Sequence, residues 1–417
     1  MPPAMRESTA FTGYKLSPLQ ERVRKDNQAG KYGKAPKNCV VTGGTGFVGQ
    51  RLVEMLVERG AERVVVFDIV PPAANMLHSD AVRYVVGDLS DAGAVDEAIK
   101  GADCVWHNGA AVGPFHPVDL YHRVNVGGTQ HVIDACLKHG VPKLVYSSSP
   151  STRFDGSDFD GCTAEQMPPL PQKSYVQEYA KTKAEGELLV TKVCSDKLLT
   201  VSVAPHQVYG PRDNLFMPNF LEVAGLGKLR IFGPGTNRIC FTHVDNYAHA
   251  LILGEKALYL GSPALGKFYI STDGATHTHP EGYVEFWKEV DVVGKALGFQ
   301  SLYSKFKLPT WFMMFLGWVC EIIGGIMGKK LKLSRFTVKM LTMHRWFDIG
   351  PTCKDLGYEP LIGFKEGWVD TTEWFKSNWL PVFGLRGGGL ASGIASQSQA
   401  KIDIQAGKPN GVRSKDE

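Results

Sequence analysis

Cys39-Val40-Val41-Thr42-Gly43-Gly44-Thr45-Gly46-Phe47-Val48-Gly49 passes from a short apolar run into three evenly spaced glycines. Cys39 to Val41 reads as a buried strand. Residues 50–59 read as a helix with apolar positions at Leu52, Val53, Leu56 and Val57. Gly43, Gly46 and Gly49 therefore fall on a strand-to-helix turn. Missing side chains there let backbone N–H groups approach a pyrophosphate, and the helix N-terminus favours an anion. A second strand follows over 63–68 and ends in Asp68, 19 residues beyond Gly49. A carboxylate at that place accepts from ribose hydroxyls and repels a 2′-phosphate, so NAD is the expected cofactor rather than NADP.

Further strands are expected over 83–86, 103–106, 143–146 and 199–203, with helices over 94–99, 127–139 and 180–193. This alternation predicts an α/β fold with a Rossmann-like, doubly wound parallel sheet over 37–204. From 205 to 380 the pattern loosens into Pro and Gly turns, as expected of a smaller C-terminal substrate-binding domain interleaved with the last sheet elements. Residues 1–36 are polar and basic and read as a flexible arm. Residues 381–417 are rich in Gly, Ser, Gln and Lys and read as a disordered tail.

With 46 Lys+Arg against 42 Asp+Glu, the formal charge is only +4, which gives no argument for nucleic-acid binding. Eight cysteines are scattered without C-x-x-C spacing, as expected of reduced thiols in a cytosol-facing protein; no metal-ligand cluster is apparent. The amino terminus has no apolar core of a secretory signal.

Tyr179 and Lys183 are four residues apart and share a face if helical. A nearby ammonium is expected to lower the phenol's pKa from about 10, making Tyr179 the proton acceptor as hydride leaves an alcohol. Tyr175 competes, but no basic residue lies four positions after it. The strand over 143–146 runs into Ser147-Ser148-Ser149, at the strand end where ligands bind in parallel sheets. Ser149 is the expected partner of the substrate oxygen, with Ser148 as alternative. Asn125 is expected either to hold a helix kink and a water linked to Lys183, or simply to cap a helix.

Several motifs together resemble the extended short-chain dehydrogenase/reductase family. They are Thr42-Gly-x-x-Gly-x-x-Gly49, Gly87-Asp88-Leu89, Asn125-Val126-x-Gly-Thr129, Ser147-Ser148-Ser149 and Tyr179-x-x-x-Lys183. Pro205-His206-Gln207-Val208-Tyr209-Gly210-Pro211-Arg212-Asp213 is similar to the 3β-hydroxysteroid dehydrogenase branch, and Cys353 to Leu361 extends the likeness. The resemblance implies Tyr179, Lys183 and Ser149 as catalytic residues. It implies Gly43, Gly46, Gly49, Asp68, Asp88, Leu89 and Pro205 as cofactor contacts, with Phe47, Val48 and Val208 beside them. Ala204 departs from the Arg usual before that proline, and His107-Asn108-Gly109-Ala110 from the commoner His-x-Ala-Ala. Arg238-Ile239-Cys240-Phe241 lacks the Arg-Asp-aromatic arrangement of sugar-nucleotide epimerases. The implied activity is NAD-dependent oxidation of a sterol 3β-hydroxyl, with decarboxylation if a 4α-carboxylate is present. A hydroxysteroid dehydrogenase/isomerase, another reductase or epimerase, and a non-catalytic NAD-binding scaffold are the alternatives. A homodimer stays open.

Residues 308–328 are apolar apart from Thr310, Glu321 and the closing Gly328, and basic residues follow to Arg335. That length suits a spanning helix. A central Glu321 would cost about 2.5–3.5 kcal/mol in a bilayer. A span would also separate residues 330–380 from the rest of the fold. An interfacial segment at the endoplasmic reticulum membrane, facing the cytosol, is therefore preferred over a span or a core helix; a cytoplasmic protein is the alternative.

Overall fold

The computed structural model describes residues 15–113, 116–327, 331 and 333–385. The glycine turn joins strand β1 (Asn38–Thr42) to helix α2 (Phe47–Glu58), preceded by helix α1 (Pro18–Gln28). Then come β2 (Arg63–Asp68), β3 (Val82–Val86), α3 (Ala92–Ile99), β4 (Cys104–His107), α4 (Val118–Tyr121), α5 (Gly128–His139) and β5 (Lys143–Ser147). After β6 (Phe159–Cys162), the chain returns through α6 (Glu178–Val193) to β7 (Leu199–Pro205). Beyond β8 (Val208–Tyr209), α7 (Met217–Gly225), β9 (Arg238–Ile239) and β10 (Thr242–His243), helix α8 (Val244–Lys256) and strand β11 (Phe268–Ser271) rejoin the main sheet.

That sheet has seven strands in the order β11-β7-β5-β4-β1-β2-β3, all paired in parallel. Its central strands are buried on both faces, which is why they read as continuous apolar runs rather than alternating ones. Leu52, Met55 and Leu56 of α2 are fully buried in the core cluster that holds Val41, Trp106 and Leu251. Each such side chain contributes about 1.5–3 kcal/mol by leaving water. The order reverses between β4 and β1, and this switch point opens a cleft at the carboxyl ends of the strands.

The second part is built from β12 (Val284–Glu285), α9 (Phe286–Ala296), α10 (Thr310–Ile326), α11 (Arg335–Thr342) and β13 (Arg345–Phe347). It forms a four-stranded sheet, β12-β9-β13-β6. A strand from inside the first part, β6, belongs to this second sheet. The parts interleave in both directions: β11, beyond residue 204, returns to the first sheet.

Two expectations are corrected. The amino-terminal arm is ordered from residue 15: α1 starts with a Ser17/Gln20 capping box and Pro18 in its first turn. Its polar residues look like a solvated arm, yet Gln20 Nε2 donates to Asp245 at 2.9 Å and Asn27 Nδ2 to Glu58 at 2.6 Å, both buried. Residues 1–14 lie outside the described residues. At the other end, helix α14 (Leu380–Leu385) follows α12 (Gly350–Leu356) and α13 (Phe364–Asn378). Phe383 stacks on Trp379 there, so the expected tail is structured through 385; the rest of it lies outside the described residues. Of α10, only Met313, Gly317 and Gly324 are buried, which sets aside the core-helix alternative. Among the described residues, no helix is long and apolar enough to cross a membrane.

Candidate active site

The cleft is lined from the glycine turn outward by Gly43, Gly46, Phe47, Val48, Asp68, Asp88 and Leu89. Gly43 has φ +66°, and a Cβ there would meet the Gly109 backbone at 2.6 Å. Gly46 opens α2 without a side-chain cap, which leaves the first-turn N–H groups for a ligand anion. Asp68 is buried and is held by two backbone donors, Thr45 N and Val70 N, each at 3.1 Å. Asp88 Oδ1 accepts from Ser90 N at 2.8 Å. Leu89 packs under the glycine backbones of Gly109 and Gly128. Gly49 does not line the cleft. A Cβ there would be driven into the Gly43 carbonyl, so its work is to let α2 lie close against β1. The donor set and the Asp68 carboxylate fit a dinucleotide.

Tyr179 and Lys183 project from α6 into the same cleft, beside Ser147, Ser148, Ser149, Pro205 and Val208. Ser149 Oγ lies 2.8 Å from Ser151 Oγ and accepts from Ser151 N at 3.3 Å, while Ser148 Oγ donates to Glu187 Oε2 at 2.5 Å. Both serines line the cleft. Tyr175 is taken up elsewhere, its hydroxyl accepting from Gln172 N at 3.1 Å.

The expected lowering of the Tyr179 pKa by Lys183 is corrected. Burial, with a smaller contribution from the Tyr121 phenol, pushes Tyr179 up to about 12, against the opposing Ser149 hydrogen bond. Burial likewise pushes Lys183 down to about 7, partly offset by Glu187. Lys183 Nζ donates to the Ser147 carbonyl at 2.8 Å and lies 4.0 Å from the Tyr146 ring centroid. In this arrangement the ammonium serves β5, and desolvation governs both groups.

Asn125 sits in a π-helical turn, residues 122–127, between α4 and α5. It does not line the cleft. Its Oδ1 accepts from Ala111 N at 2.8 Å, and its Nδ2 donates to Ala111 O and to Thr182 Oγ1 at 3.2 and 3.1 Å. The side chain thus clamps Ala111, in the cleft-lining loop after β4, to the helix carrying Tyr179 and Lys183. Of the two expectations, the helix irregularity is where Asn125 lies.

The far end of the cleft is formed by residues the sequence reading passed over: His116, Leu120, Val124, Asn214, Leu215 and Tyr247. The one available signal was Pro211-Arg212-Asp213, whose Asp213 takes the backbone N–H groups of Leu215, Phe216 and Met217 and so fixes the Asn214–Leu215 wall. Burial pushes Asp213 up to about 6 against those bonds. No spacing pointed to Tyr247, which reaches Ser147 Oγ at 2.7 Å from α8.

A doubly wound sheet with a glycine turn at its switch point and a Tyr-x-x-x-Lys helix beside it defines an oxidoreductase of the short-chain dehydrogenase/reductase class. The chain belongs to the 3-beta hydroxysteroid dehydrogenase/isomerase family, whose model matches residues 40–301. It is 33% identical over 81% of its length to the 3beta-hydroxysteroid-dehydrogenase/decarboxylase isoform 1 of Arabidopsis thaliana, covering 79% of that protein. It is 33% identical over 79% of its length to the 2-alkyl-3-oxoalkanoate reductase of Stenotrophomonas maltophilia, covering 96% of it. Against the decarboxylating sterol-4-alpha-carboxylate 3-dehydrogenase of Mus musculus the identity is 30%, over 81% of this chain and 91% of that one. Among solved structures, MoeE5 in complex with UDP-glucuronic acid and NAD shares the fold, with a TM-score of 0.60, 24% identity, and coverage of 82% of this chain and 99% of that one.

Proposed function

We propose that the protein is an NAD-dependent dehydrogenase of a lipid 3-hydroxy acid, with a 4α-carboxy-3β-hydroxysterol as the favoured substrate. The observation that carries this is Tyr179, Lys183 and Ser149 converging on one cleft with the glycine turn and Asp68. The names of three relatives narrow the substrate class. A 4α-carboxylated 3-hydroxysterol and a 2-alkyl-3-oxoalkanoate share one chemical core: an oxygen at the carbon β to a carboxylate, with a branched α-carbon. The plant relative's name adds a decarboxylase to the dehydrogenase.

NAD⁺ held by Gly43, Gly46, Phe47, Val48 and Asp68 would accept hydride from the carbinol carbon. Ser149 holds the substrate oxygen next to the Tyr179 phenol, and the Tyr179/Lys183 pair takes up the hydroxyl proton. The product is a β-keto acid. Its carboxylate departs as CO₂ because the new carbonyl accepts the bond's electrons as an enolate, which needs no further side chain.

Helix α10 supports contact with a lipid surface. Trp311, Phe315, Trp318, Ile322 and Ile326 recur on one face, with exposures from 45% for Ile322 to 82% for Ile326. Glu321, the acid within the run, is answered by Arg335: its two oxygens accept from Arg335 N at 2.9 Å and Nε at 2.7 Å. An apolar face with its one acid paired suits an interfacial segment, the preferred placement being at the endoplasmic reticulum membrane. Phe336 of α11 meets Phe154, five residues from Ser149, so this hairpin adjoins the loop that leaves the catalytic strand.

The test is incubation with NAD⁺ and a 4α-carboxy-3β-hydroxysterol, following NADH and CO₂, with Tyr179→Phe as control. Equal NADH and CO₂, both lost in the variant, are expected. NADH with the uncarboxylated sterol alone would make it a plain hydroxysteroid dehydrogenase. NAD binding without turnover of either sterol or of a 2-alkyl-3-hydroxyalkanoate would sink the proposal.

A further inference from the structure

Tyr179 and Lys183 are the first two residues of a longer stripe. Glu187 lies one more helical turn along α6, on the same face, and only 2% of it is exposed. An acid so buried is found only where it is paired. Its two oxygens are divided between Arg153, which pairs with both, and the Ser148 hydroxyl at 2.5 Å. Arg153 belongs to the 3₁₀ turn Pro150–Arg153, which begins immediately after Ser149, and its guanidinium carbon lies 3.6 Å from the Phe268 ring centroid. Ser148, just before Ser149, and Arg153, four residues after it, are thus both fastened to the helix that carries Tyr179 and Lys183, through one carboxylate.

We propose that Glu187 is a positioning residue of the reaction: through Ser148 and Arg153 it ties the strand end bearing Ser149 to the helix of Tyr179 and Lys183, with its carboxylate on the Lys183 face of that helix. This rests on Tyr179 and Lys183 being the proton-transfer pair, not on the identity of the sterol. The groups facing Lys183 leave Glu187 as its anionic neighbour among the described residues. From β5 come the Ser147 carbonyl and the neutral Tyr146 ring. From β4 comes His107, kept neutral by burial and by Lys183 itself. On α6 stand Tyr179, a phenol at neutral pH, and Glu187. Arg153, on the turn after β5, faces Glu187 from the other side and moderates its field.

The experiment measures the pH dependence of the oxidation and reduction rates in Glu187→Gln, Glu187→Asp, Arg153→Met and Tyr179→Phe. The same chains, labelled with ¹⁵N at lysine Nζ and free of cofactor, give the titration of Lys183 directly by NMR. Glu187→Gln removes the charge and leaves one acceptor, Oε1, where the carboxylate has two, and should move the Lys183 titration and the pH limb down by about one unit. Arg153→Met leaves the carboxylate unanswered and should move both up. Glu187→Asp, which keeps the charge, should titrate near wild type. Shifts of opposite sign cannot come from loosened packing alone. A uniform loss of rate with unmoved limbs and an unmoved Lys183 titration would overturn the inference. If Tyr179→Phe were as active as wild type, the proton-transfer reading itself would fail, whatever Glu187 does.

Discussion

At the level of single residues, the cleft works through desolvation. Tyr179 and Lys183 are both pushed toward their neutral forms, to about 12 and about 7. The pair then carries two protons below about pH 7 and one above it. Oxidation needs a pair that can take a proton, and reduction needs one that can give it. The oxidation rate should therefore rise with pH through about 7 and level off, while the reduction rate falls through the same region; stopped-flow NADH traces from pH 5 to 9 check both limbs. Rates without a limb between pH 5 and 9 would mean Lys183 keeps its ordinary value. Asp68 makes a separate prediction. Asp68→Ser removes the carboxylate that favours a ribose diol over a 2′-phosphate, so the KM for NAD should rise about tenfold and that for NADP fall. Unchanged preference would place discrimination elsewhere. The candidate residues of the proton-transfer set and the glycine turn were legible in the sequence because their spacing along one helix or turn fixes their mutual placement. Their protonation was not, because burial comes from other elements.

Among elements, α10 and α6 differ in how far sequence pattern carries. The glycine turn, α2 and α6 are local structures, set by period and by missing side chains. Helix α10 is apolar over nearly its whole length, and its sequence favours an interfacial helix without excluding a span or a core helix. What separates them is the partner of Glu321 and the burial of Gly317. A Cβ on Gly317 would meet Arg335 N at 2.7 Å, so the glycine allows the chain entering α11 to lie against α10. The apolar face left outside predicts lipid binding that the triple variant Trp311→Ser, Phe315→Ser, Trp318→Ser should weaken at least tenfold in vesicle co-sedimentation, with the fold intact by circular dichroism. Equal sedimentation of variant and wild type would remove α10 from the membrane account.

For the whole molecule, the decisive feature is a buried charge network beneath the glycine turn. Arg51 of α2 is fully buried and reaches Glu58 at 2.7 Å, Asp245 at 2.9 Å and Glu54 at 3.2 Å. Arg212, from the loop that walls the far end of the cleft, reaches Glu54 at 2.6 Å, and Gln20 of α1 reaches Asp245. Arg51→Met would leave buried carboxylates without their cation and should cost about 3–5 kcal/mol in urea unfolding. A loss under 1 kcal/mol would mean the network is not what joins α1, α2 and α8. The sequence by itself determined the doubly wound sheet, its nucleotide turn and the Tyr179–Lys183 helix, because alternation and short spacing are properties of neighbouring residues. Only the tertiary structure decided that α1 is part of the fold, that β6 and β11 exchange between the two sheets, and that His116, Asn214 and Tyr247 share one cleft with Tyr179. Those relations join residues far apart in the chain, and their energies come from burial and pairing that no local pattern records.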